Sequence, residues 1–322
     1  MVFKTKITEM LGIKYPIIGG TMMSITDADF AAAISNADGL GVLASAIYKT
    51  NEDFEAAVDR LLSLTSKPVA VNINLFPGLM PADNEAYSEI LINKGIKIVE
   101  TSGHSAPENL CKKWKSAGLI WIHKCVGVRY AVKVAKMGAD IVTVVGYENG
   151  GATGKLDVAT LPLIPSVVDA VNIPVIGGGG VSDARGFLAL LALGAEGVII
   201  GTRLLMTREA PIHDNLKNAL VKATETETIL AMRSIGATHR VWDNVCARRI
   251  LELEAAQAGL DEIFAAAAGD KARKMYREGD LDVGMISCGQ GVGLCKDIPT
   301  VKDLFDRIIT DAAAIHGRIK PV

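Results

Sequence analysis

Eight short runs rich in Ile and Val, each apolar on both faces, recur between residues 15 and 200 and alternate with stretches of helical spacing. A strand that is apolar on both faces must be covered on both, which is the condition of a parallel strand lying between helices. The runs are Tyr15–Gly19, Gly41–Ala44, Val69–Asn74, Lys97–Thr101, Ile120–Lys124, Ile141–Val145, Pro174–Ile176 and Gly197–Ile200. Between them, Asp53–Leu64 places Phe54, Ala57, Val58, Leu61 and Leu62 along one helical stripe. Tyr130–Met137 and Asp183–Leu193 repeat the pattern. Ser182 or Asp183 is placed to cap the last of these helices and Gly194 to end it. Eight such units predict an α/β fold, a (β/α)8 TIM barrel. A doubly wound open sheet would bind its nucleotide at the first strand-to-helix turn. Here that turn, Gly19-Gly20-Thr21-Met22-Met23, lacks the GxGxxG spacing, and the glycines cluster late instead.

After Leu205 the pattern changes. Glu209–Glu278 reads as helical and Ala-rich with no strand signal, and Pro211 marks its entry. Val301–His316 then shows apolar residues at helical spacing, as a last helix returning to the barrel. The predicted organisation is a barrel of residues 1–205 completed by 301–322, with a mainly helical insertion or lid over 206–300.

The formal net charge of -2 comes with no basic block, which argues against a nucleic-acid partner. No basic amphipathic tail and no apolar run of spanning length point to a membrane. The first residues lack the apolar core and cleavage site of a signal peptide, and the five cysteines are scattered. A cytoplasmic protein with reduced, packed thiols is expected. No CxxC pair and no histidines at i, i+4 suggest a metal site, so none is predicted.

Two glycine-rich segments carry the strongest chemical signal: Gly177-Gly178-Gly179-Gly180, and Gly201-Thr202 about one unit later. Consecutive glycines expose backbone N–H groups to an anion, and the following helix N-terminus adds partial positive charge. Loops after the seventh and eighth strands are where an α/β barrel grips a phosphate. A third glycine-rich loop, Gly146–Gly154, follows the sixth strand on the same face. Asn72 and Lys124 end the third and fifth strands there, and Met22 and Met23 follow the first. Of the five histidines, His104 follows the fourth strand and faces the site. His123 sits in the fifth strand, where a satisfied core histidine is at least as good a reading. His213 opens the insertion in a capping position, His316 lies in the terminal helix, and His239 completes the set.

Taken together, Tyr15–Gly20, Ser35–Val42, Val71-Asn72, the Gly146–Gly154 loop, Gly177–Gly180 and Gly201-Thr202-Arg203 resemble the nitronate monooxygenase family. That family was formerly called the 2-nitropropane dioxygenases and includes the flavin-type enoyl-acyl-carrier-protein reductases and some quinone reductases. The resemblance spans nearly the whole chain. It implies a TIM barrel that binds FMN, with Gly20, Thr21, Met22, Asn72, Lys124, Gly150, Gly151, Gly178, Gly179, Gly180, Gly201 and Thr202 around the cofactor. Lys124 would stabilise the reduced ring. The family's sixth-strand loop reads Glu-Ala-Gly-Gly-His-x-Gly, and its histidine is the catalytic base or polar anchor. Here the stretch is Glu148-Asn149-Gly150-Gly151-Ala152-Thr153-Gly154, with alanine at the histidine position. Alanine takes no proton, so His104, Tyr147 and Thr153 stand as candidate replacements. Thr202–His213 further resembles a subgroup that acts on acyl-CoA substrates. The implied function is an FMN-dependent oxidoreductase on a small or acyl-CoA-type substrate. The alternatives are an NAD(P)H-dependent enoyl or quinone reductase, with NAD(P)H as reductant, and a flavin-free barrel lyase or isomerase acting on a phosphorylated metabolite. A homodimer is a candidate assembly.

Overall fold

A computed structural model describes residues 3–75, 83–103, 107–267 and 269–319. Eight parallel strands form one sheet: Ile17–Gly19, Gly41–Ala44, Val69–Asn74, Ile98–Ser102, Ile120–Cys125, Ile141–Val145, Val175–Gly178 and Gly197–Ile200. The second to the eighth each pair with their sequence neighbours among these eight, and the eighth pairs with the first. A parallel bridge from Ile18 to Leu40 joins the first strand to the chain entering the second, closing the TIM barrel. Every strand predicted from its doubly apolar run is present, and four of the eight have the predicted bounds.

Alternation along each strand sends one set of side chains inward and the other out to the helices. The inward set includes Ile18, Val42, Ala70, Ile98, Ile122, Ile141, Ile176 and Ile199. Ile7 and Leu11, from the short helix Lys6–Leu11, join the same cluster. The outward set, including Val71, Val99, Trp121, Val142 and Val198, packs in a second cluster with residues of the surrounding helices. Asp183 caps helix Ala184–Ala192 by accepting from Arg185 N and Gly186 N, whereas Ser182 Oγ donates to Gly291 O. The final helix, Val301–Arg318, packs against Ala28–Asn36 and Ala184–Ala192.

The segment after the eighth strand corrects one expectation. It holds helices Asp214–Lys222, Val245–Ala255, Leu260–Ala266 and Gly269–Glu278, but also strands Thr228–Ala231 and His239–Trp242. These two pair antiparallel, and a third strand, Gly151–Ala152, comes from the loop after the sixth barrel strand. Four-residue strands are too short to show a period, and the third member lies far away in sequence. Among the described residues, no helix is long and apolar enough to cross a membrane.

Candidate active site

The alternation that fills the barrel also brings a polar group together at its carboxyl end. Ala70, Ile98 and Ile122 point inward, so Asn72, Glu100 and Lys124, two residues further along each strand, point inward as well. Lys124 Nζ lies 3.4 Å from Glu100 Oε1, and Thr21 Oγ1 donates to Glu100 Oε2 at 2.9 Å. Asn72 Nδ2 donates to Ser102 Oγ at 3.3 Å. Thr21, Asn72 and Lys124, selected from the sequence, thus meet in one place. Glu100 was not selected. It is only 2% exposed, and its Oε1 accepts no hydrogen bond among the described residues. The signal was available: a carboxylate inside Ile98-Val99-Glu100-Thr101-Ser102 needs a cationic or hydrogen-bonding partner.

His123 has the opposite parity and belongs to the outer layer. Its Nδ1 is 2.7 Å from Thr101 Oγ1, which accepts from Trp121 Nε1. Burial first, and the Lys124 charge second, push its pKa down to about 4. The unfolded imidazole titrates near ~6.5, so between these values the unfolded chain binds a proton that the fold excludes. Stability from this group is therefore complete above the unfolded value and falls as pH drops towards the folded one. Urea unfolding is expected to show a loss of about 2 kcal/mol from His123 between about pH 6.5 and about pH 5. In His123→Asn that part of the slope should vanish; an unaltered slope would remove His123 as its source.

The glycine turns are built for close approach. Gly179 and Gly180 hold φ of +104° and +75°, in the region that favours glycine. A Cβ at Gly178 would sit 2.4 Å from Ile199 Cγ2, whereas one at Gly201 would meet nothing within 4 Å. Open space therefore borders the backbone at Gly201. Thr202 Oγ1 accepts from Gly289 N at 2.8 Å, which leaves its own hydrogen to donate. Gly20 N donates to Ile200 O, placing the first turn beside the eighth strand. The next residue, Arg203, is buried and committed elsewhere, donating to Met206 O and to Asp297.

The loop after the sixth strand is fixed by Glu148, whose Oε2 accepts from Thr160 N at 2.9 Å and Thr160 Oγ1 at 2.7 Å. That carboxylate sits at the N-terminus of helix Thr160–Val168, which has no side-chain cap of its own. Gly150 packs on the Cys288-Gly289 backbone, where a Cβ would come within 2.8 Å of Gly289 N. Thr153 is 3% exposed, and its hydroxyl donates to Gly154 O. Tyr147 lies under the Arg240 guanidinium, 4.4 Å from ring centroid to Cζ. Met22 is partly buried against the outer core, and Met23 is exposed. His104 lies outside the described residues. His213 caps helix Asp214–Lys222, its Nδ1 accepting from Asn215 N. All five cysteines are buried, and burial raises Cys111 and Cys125 to about 12, so they pack as thiols.

With this geometry in view, the family model described as nitronate monooxygenase matches residues 4–311. A (3aS,4S,5R,7aS)-5-hydroxy-7a-methyl-1-oxo-octahydro-1H-indene-4-carboxyl-CoA dehydrogenase of Rhodococcus jostii (strain RHA1) is 33% identical, over 96% of each chain. A probable nitronate monooxygenase of Staphylococcus aureus (strain MSSA476) is 29% identical over 75% of this chain and 79% of its own. Among solved structures, FabK from Thermotoga maritima superposes with a TM-score of 0.90 at 31% identity, covering 98% of both chains. A family model spanning all but the two ends, a barrel closed in the same manner and a polar cluster at its carboxyl mouth agree: the chain belongs to the nitronate monooxygenase family and is a flavin-dependent oxidoreductase.

Proposed function

We propose that the flavin is FMN and that the reaction is an oxidoreduction of an acyl-CoA-type thioester. The observation that carries the cofactor is the open cradle beside Gly201, bordered by the positive-φ Gly179-Gly180 turn. The backbone N–H groups of these turns and the Thr202 hydroxyl would hold the phosphate, supported by the N-terminus of helix Ala184–Ala192. Gly20, Thr21, Met22, Gly150, Gly151 and Gly178 would border the remainder, and Asn72 would offer its second amide hydrogen to the ring edge. Bound FMN supplies the electron transfer, and the protein supplies orientation and charge. Lys124 would act on the ring as part of an ion pair, because Glu100 shares its charge.

Support for the thioester comes from the dehydrogenase of a carboxyl-CoA compound, which aligns over nearly the full chain. A cavity of about 440 Å³ lined by Lys155, Arg233, Ser234 and Thr238 lies beside the small sheet; Arg233 Nη2 is held 2.9 Å from Asp157 Oδ2, and the Lys155 ammonium suits a phosphate-bearing carrier.

Purified protein is expected to be yellow, to release FMN on denaturation, and to change its flavin spectrum on anaerobic mixing with an acyl-CoA. A folded, colourless protein that takes up no FMN overturns the cofactor assignment. Bleaching by NADH or NADPH alone, followed by enoyl reduction, would assign the reductase direction. Nitronate-dependent oxygen uptake without any response to thioesters would overturn the substrate.

A further inference from the structure

The small antiparallel sheet brings an imidazole to the position where the barrel loop carries none. His239 lies directly opposite Ala152, and Arg240 opposite Gly151. Residues facing each other across an antiparallel ladder share one face, with Cβ atoms about 4.5–5.5 Å apart. Thr153 N donates to Thr238 O at 3.3 Å, so the neighbouring pair Ala152–His239 occupies the non-bonded position, where side chains approach most closely. On that face Ala231 and Val241 are buried in the insertion's own core with Ala247 and Ile250. His239 and Ala152, nearer the sheet's edge, remain partly exposed. The ring is also oriented. His239 Nδ1 is 2.8 Å from Ala237 O, and a carbonyl only accepts, so the hydrogen resides on Nδ1. In the neutral ring Nε2 then keeps its lone pair, as a general base requires. Thr238, the preceding residue, lines the cavity that holds Lys155 and Arg233. Two other candidates are less free: Thr153 is buried with its hydroxyl engaged, and Tyr147 is covered by Arg240.

We propose that His239 performs the proton transfer for which position 152 carries no group. Its Nε2 accepts the proton from the carbon next to the thioester carbonyl. The C–H bond breaks, its electron pair stays on the substrate as the enolate, and the imidazole becomes imidazolium. The proposal rests on the thioester reading above.

The test uses FMN-loaded wild type, His239→Ala and His239→Gln, with butyryl-CoA in D2O under anaerobic conditions. Deuterium incorporation next to the carbonyl is read by mass spectrometry, and FMN content by absorbance. Both variants are expected to retain FMN and to exchange about 100-fold more slowly or worse. Glutamine can still donate to Ala237 O, so a role confined to closing the turn predicts wild-type exchange in His239→Gln, and that result overturns the proposal. Undiminished exchange in His239→Ala overturns it too. Nitrogen-15 NMR of the wild type is expected to find the His239 hydrogen on Nδ1; finding it on Nε2 overturns the proposal without recourse to any variant. Wild-type protein that holds FMN yet exchanges no thioester proton brings down the substrate reading and the proposal together, whereas exchange that survives the substitutions brings down the proposal alone. Ala152→His in the His239→Ala background, which moves the ring back across the ladder, is expected to recover exchange.

Discussion

Gly179→Ala is expected to give a protein that no longer retains FMN. The φ of +104° at this position is a conformation that an alanine rarely adopts. The added Cβ would lie 2.5 Å from Thr160 Oγ1 and 3.0 Å from Gly146 N. Neither neighbour can withdraw cheaply. Thr160 Oγ1 donates to Glu148 Oε2, and Gly146 N donates to Gly178 O within the barrel edge. Relief therefore requires the turn to move away, which would carry the Gly180 and Gly179 N–H groups off the proposed phosphate position. The conformational penalty alone is about 1–3 kcal/mol, and the displaced cradle adds the loss of the phosphate contacts. The measurement is FMN stoichiometry by absorbance alongside a thermal unfolding curve. A folded Gly179→Ala protein carrying one FMN per chain would show that the turn does not form the grip. Gly201→Ala is the control, because its Cβ enters open space: it should leave the fold intact and reduce FMN affinity alone.

The second large effect concerns the charge pair in the barrel mouth. Lys124→Met is expected to destabilise the protein by about 3 kcal/mol, because it leaves a buried carboxylate without its cation. Glu100 is 3% exposed at its side chain, against 20% for Lys124. The two substitutions are therefore unequal. Glu100→Gln leaves a lysine that reaches solvent, and it should cost less than Lys124→Met. The double variant, which removes both charges, should recover most of the loss. Urea midpoints of the three proteins decide the matter, and equal losses in single and double variants would remove the pair as the cause. The double variant also separates roles: if it folds and binds FMN but turns over slowly, Lys124 contributes to chemistry as well as to structure.

The barrel was legible because parallel strands covered on both sides cannot hide their composition. Gly41–Ala44 and Gly197–Ile200 contain nothing polar. Parity within a strand also decides which of two neighbours faces the site: Lys124 follows Ile122 inward, and His123 follows Trp121 outward. Glu100 was overlooked inside a run read for its apolar content, although its charge was the exception that mattered. The hairpin Thr228–Trp242 was illegible for another reason. Its second strand also pairs with Gly151-Ala152, a contact about ninety residues away that no local pattern announces. The same distance concealed His239, whose significance lies entirely in the residue it faces.

The stretch from Gly289 to Gly291 has a consequence for the order of assembly. Gly289 N binds Thr202, Gln290 N binds Glu148 O, and Gly291 O receives the Ser182 hydroxyl. Three turns that emerge early in synthesis are thus clasped by a late piece of chain. A nascent polypeptide with all eight barrel strands already outside the ribosome still lacks this clasp until residue 291 of 322 has followed.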